Sequence, residues 1–172
     1  MIIKLLGALL FVLSCAGFGL CINKENKIKI AEFENLKKCI DIMKNDMCIS
    51  FKSFYEAMEA TFEHADNNNR LIFSELLKCN NWESDVSLYD KVDDILNYFK
   101  KCNLYNDKDI HIFENINNII GKSDIGCLKD NFELFKHEID NRVAELNGEI
   151  KNKALFGKIA IYVSFIIVVF LF

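Results

Sequence analysis

The chain has no proline, a single tryptophan and only two arginines, Arg70 and Arg142. Without proline no helix is broken from within, so helices run until Gly, Asn or Asp stops them. The formal net charge is −4 over 172 residues, with no long run of one sign. That excludes the basic stripe needed to neutralise a phosphate backbone, and no nucleic-acid partner is expected. No Asn-x-Ser/Thr occurs, which excludes N-glycans, and no Cys-x-x-Cys occurs, which excludes a thioredoxin-like pair or a zinc ribbon.

What is present begins with two apolar ends. Lys4, the apolar run 5–13 and the small residues Ser14 and Ala16 have the order of a secretory leader, expected over residues 1–16. A cut after Gly19 and a lipidated Cys15 are the alternatives. At the other end residues 159–172 carry no charge. At about 1.5 Å per residue this stretch falls short of a hydrocarbon core of about 30 Å. A small residue, a polar spacer and an apolar tail fit a lipid-anchor signal, with Asn147 or Asn152 as attachment residue. A single membrane helix is the alternative for residues 148–172. Either way the expected partners are a membrane, reached through the C-terminal lipid anchor or helix, and a protein not identified by the sequence.

Of seven cysteines, Cys15 would leave with the leader. Cys21, Cys39, Cys48, Cys79, Cys102 and Cys127 remain, an even set that in an exported chain predicts three disulfides. Alternating helix directions make Cys21 with Cys102 the first candidate pair.

Residues 17–147 read as a helical ectodomain. Phe33, Leu36, Ile40, Met43 and Met47 step by three and four, the mark of one helix face. Ser53 and Glu56 have capping-box spacing ahead of Phe54, Met58 and Phe62. Further stripes run through Ile72, Phe73 and Leu76, through Leu88, Val92, Ile95 and Phe99, through Ile112, Phe113 and Ile116, and through Leu128, Phe132, Phe135, Ile139, Val143 and Leu146. Asp107 or Asp109 is placed to cap the fifth helix. Residues 27–30 are the only strand-like scrap. The expected fold is all-α, an antiparallel bundle of about six helices stapled by disulfides.

The stretch 64–75 resembles an EF-hand loop: Asp66, Asn68 and Glu75 match its third, fifth and twelfth positions, and Leu71 its eighth. His64 stands where the first carboxylate belongs and Asn69 replaces the turn glycine, so the segment reads as an Asn-rich turn between helices. Asp90, Asp93 and Asp94 faintly resemble the acidic clusters of prenyl-transferring enzymes. They lie opposite Leu88, Val92 and Ile95, and read as a solvated face. His64, His111 and His137 share no helical face, and no nucleophile elbow occurs. Neither an enzyme nor a cofactor or metal site is expected. In plan the chain resembles cysteine-rich surface antigens of parasites. That plan implies a secreted, cell-surface protein delivered to the outer face of the plasma membrane and binding a receptor or ligand. A structural coat protein of a cell or spore surface and a carrier of a small apolar ligand are the alternatives.

Overall fold

A computed structural model describes residues 2–78, 88–101, 105–119 and 125–171. Among these the protein is all-helical: α1 (Ile2–Cys48), α2 (Phe54–His64), α3 (Asn67–Lys78), α4 (Leu88–Lys101), α5 (Asp107–Glu114), a 3-10 turn (Asn115–Asn118) and α6 (Ile125–Leu171). The chain divides into two compact units. One is Met1–Ala31 with Ala144–Phe172, and the other is Glu32–Val143.

α1 is longer than its amphipathic stripe implies. The apolar run 5–13 and the scrap 27–30 are both part of one helix of 47 residues, because nothing between them ends a helix. Gly17 and Gly19 each cost a helix about 1 kcal/mol but do not stop it. The helix ends where Ser50 N–H donates to the Asn45 carbonyl at 3.0 Å and Lys52 N–H to the Asp46 carbonyl at 2.9 Å. Phe51 takes φ 55°, a left-handed conformation that normally falls to glycine.

Ser53 then caps α2. Glu56 N–H donates to Ser53 Oγ at 3.3 Å and Ser53 N–H to Glu56 Oε2 at 2.8 Å, the reciprocal box the sequence predicts. The corresponding box of α5 uses Asn106 as cap with Asp109 three residues in, so neither Asp107 nor Asp109 is the cap itself.

Within the Glu32–Val143 unit, α2 packs on α3, α3 on α4 and α4 on α5. Phe33, Leu36, Ile40 and Met43 of α1 are buried, as are Leu128, Phe132, Phe135 and Ile139 of α6. Phe33, Phe99, Tyr105 and Phe113 form one aromatic cluster with ring centroids 5.0–6.3 Å apart. Charged pairs tie α1 to α6 in opposite directions: Lys37 to Asp140 at 2.5 Å, Asp41 to Lys136 at 2.6 Å, and Lys44 to Glu133.

Among the described residues no disulfide staples the fold. Cys39 is buried among the core residues of α1, and Cys39, Cys48 and Cys127 are thiols, not halves of disulfides. Cys21 lies within α1, whereas Cys79 and Cys102 lie outside the described residues. Cys39 behaves as a small core hydrophobe, and burial pushes its thiol up to about 11.

Candidate functional site

Two polar clusters in the Glu32–Val143 unit are built into the packing. In the first, the Glu32 carboxylate accepts from the Tyr105 hydroxyl at 2.8 Å and from Asn68 Nδ2 at 3.0 Å. Asn69 Nδ2 donates to the Glu32 carbonyl at 2.8 Å. Asn35 donates to the His64 carbonyl at 3.0 Å and to Asp66 Oδ2 at 3.2 Å. Burial, then the adjacent Glu32 charge, pushes the Tyr105 hydroxyl far above its ordinary range.

This is where the EF-hand-like stretch falls. α3 starts at Asn67, so most of the supposed loop is helix, and its asparagines clasp α1 instead of encircling a cation. Among the described residues no group of His, Cys, Asp and Glu is placed to hold a metal.

The second cluster is the pair of Asp109 and Arg142, 0% and 5% exposed, with Nε donating to Oδ1 at 2.7 Å. Asp109 Oδ2 accepts from Asn106 N–H at 3.1 Å, so both carboxylate oxygens are engaged. Sequence reasoning missed this pair. The signal was available, since Arg142 lies between Ile139 and Leu146 on the inward stripe of α6. Asp90, Asp93 and Asp94 are exposed on α4. The three histidines fall on α2, α5 and α6, and His111 Nδ1 lies 3.8 Å from Glu138.

Between α3 and α4 a groove of about 300 Å³ is lined by Leu71, Ile95 and Tyr98, with Glu75, Lys91 and Asp94 at its polar side. Such a mixed lining suits a protruding side chain or helix of a partner.

The unit of Met1–Ala31 with Ala144–Phe172 offers a different surface. On α6, Leu155, Ile159, Tyr162 and Val163 are all exposed, Leu155 at 57% and Tyr162 at 71%. Their spacing of four, three and one sets them on one side of the helix. Asn147 and Asn152 are exposed residues of the same helix. Asn26 of α1 donates to Glu149 of α6 at 3.2 Å, and Lys153 lies 3.5 Å from Glu149. Among the described residues no helix is long and apolar enough to cross a membrane.

Residues 4–172 match the family of stage III sporulation protein AB. The chain belongs to this family. No curated protein and no solved structure matches it.

Membership in a sporulation family overturns the functional expectation drawn from the sequence. The chain is not a secreted receptor-binding ectodomain. Delivery by the secretory pathway to an outer cell surface falls with that reading. The glycolipid anchor loses its support with that reading, and among the described residues Cys39, Cys48 and Cys127 form no disulfide. An even cysteine count predicts crosslinks, whereas Cys39 is a buried core thiol.

Proposed function

We propose that this family member serves sporulation as a non-enzymatic helical assembly protein. It rests against a membrane through the apolar end of α6 and meets a protein partner through the groove between α3 and α4. The observation that carries the reading is the exposed row Leu155, Ile159, Tyr162 and Val163. A helix that keeps such residues in water gives up roughly 1.5–3 kcal/mol for each side chain that could be buried. The charge-free residues 159–171 continue the same helix, and residues 5–23 of α1, in the same unit, are also without charge. A helix apolar on all sides belongs in a core or in lipid.

The absence of enzymatic work is supported by how the buried acids are used, since Glu32 and Asp109 are both committed to structural hydrogen bonds. An antiparallel bundle for the Glu32–Val143 unit is supported by the bridges between α1 and α6. The acidic net charge argues for a protein, not nucleic acid, as the partner.

Tryptophan fluorescence tests the membrane contact. Trp82 is the sole tryptophan, so the W82F/Y162W variant reports from position 162 alone. Adding phosphatidylcholine vesicles should shift its emission to the blue and expose it to quenching by lipids brominated on their chains. An emission unchanged from that in buffer, with helicity intact, would refute the contact.

A further inference from the structure

The surface next to the apolar row is rich in lysine. In the unit of Met1–Ala31 with Ala144–Phe172, the hydrogen bond from Asn26 to Glu149 brings one turn of α1 level with one turn of α6. Around that bond lie Lys24, Lys27 and Lys29 of α1 and Lys151 and Lys153 of α6, five cations against the three acids Glu25, Glu145 and Glu149. One of those glutamates is already engaged by Asn26 and Lys153. Lys24, Lys27 and Lys151 are exposed. The local balance is therefore positive on a chain whose formal net charge is −4. The position is also particular: the charge-free stretch 5–23 ends where Lys24 begins, and Leu155 follows Lys151 by one turn of α6 on the same side.

We infer that this lysine collar binds the anionic headgroups of a membrane, and that the chain selects anionic over neutral lipid. The inference rests on the membrane contact proposed above and adds the lipid class. Apolar side chains gain by entering any bilayer, whatever its charge. Lysines at the boundary gain only where the surface potential is negative, and that attraction decays over a Debye length of about 10 Å in 0.1 M salt. The collar meets that condition, because it directly adjoins the residues that touch the apolar layer. Continuity with the apolar row commits the site to a lipid surface, since a soluble anion has no use for Leu155 and Ile159.

Co-flotation of the full-length chain with vesicles tests this. One set is phosphatidylcholine alone and the other is phosphatidylcholine mixed with phosphatidylglycerol. Partition should favour the anionic set at low salt, and the preference should vanish at high salt. The K24Q/K27Q/K151Q variant, altered only at exposed positions, should lose about five-fold in anionic partition per lysine, roughly a hundred-fold in all. Its partition to neutral vesicles should match wild type, and far-UV circular dichroism should show unchanged helicity. Equal wild-type partition to both sets, or an anionic preference that survives in the triple variant, overturns the collar while leaving the membrane contact in place. No flotation with either set overturns both.

Discussion

Replacing Arg142 with methionine removes the cation that faces the Asp109 carboxylate, a group with 0% exposure and a guanidinium Nε at 2.7 Å. Taking one partner from a buried ion pair costs about 3–5 kcal/mol, because the remaining charge keeps its desolvation penalty and loses its attraction. The D109N change does the same from the other side, although the amide oxygen still accepts from Asn106 N–H and so preserves the α5 cap. It should cost about 3 kcal/mol. The double variant D109N/R142M buries no charge, and methionine fills much of the volume of the arginine stem. Its expected deficit is only about 1–2 kcal/mol. Urea unfolding followed by far-UV circular dichroism reads all three. With a slope of about 1–3 kcal/mol per molar urea, R142M should lower the midpoint by about 2 M. The double variant should recover more than half of that loss. Additive losses in the double variant would refute the reasoning, because they would mean that the two side chains act independently. So would an R142M cost below about 1 kcal/mol, the level of an exposed pair.

Three further outcomes follow from local geometry. Phe51, 73% exposed and at φ 55°, should become roughly 0.5–1 kcal/mol more favourable as F51G, and a lower urea midpoint would show that its ring packs. In native protein near pH 8, iodoacetamide should modify exposed Cys127 first, then Cys48, and buried Cys39 only on unfolding; mass analysis showing early Cys39 labelling would contradict its burial. Ser53 hydrogen bonds hold the Glu56 carboxyl, and the Lys44 hydrogen bond holds that of Glu133, below the ordinary carboxylate value. Their stabilisation is whole above about pH 4.3 and drains away as pH falls through the lower folded values. The Asp41 hydrogen bond raises Lys136, whose stabilisation is whole below about pH 10.4 and is lost as pH rises through its folded value. E133Q should shrink the acid limb of the stability profile and K136M the alkaline limb, and unchanged limbs would dismiss both bridges.

Helix existence was legible from spacing, and one boundary was legible to the residue. Ser53 and Glu56 carry the cap of α2 in their side chains, so local chemistry alone fixes that start. The length of α1 was not legible, because Gly17 and Gly19 are poor helix formers and residues 27–30 alternate like a strand. Both are compatible with a helix that nothing interrupts. Buried polar contacts depend on which helices meet, and a stripe does not say that. Glu32 precedes Phe33 and stands four before Leu36, so its inward position could be read, whereas its partner Tyr105 could not. The cysteines misled for a related reason. Cys39 stands between Leu36 and Ile40 on the inward face, where a thiol serves as an apolar filler, and an even count carries no information about packing.

The bridges between α1 and α6 contribute little individually, being partly exposed. Their order along the helices matters more. The lysine, aspartate and lysine of Lys37, Asp41 and Lys44 meet aspartate, lysine and glutamate in Asp140, Lys136 and Glu133. If one helix slid by a turn, Lys37 would confront Lys136; slid the other way, Asp41 would confront Asp140. The alternation thus works as a ruler, penalising each neighbouring one-turn alignment of α1 on α6.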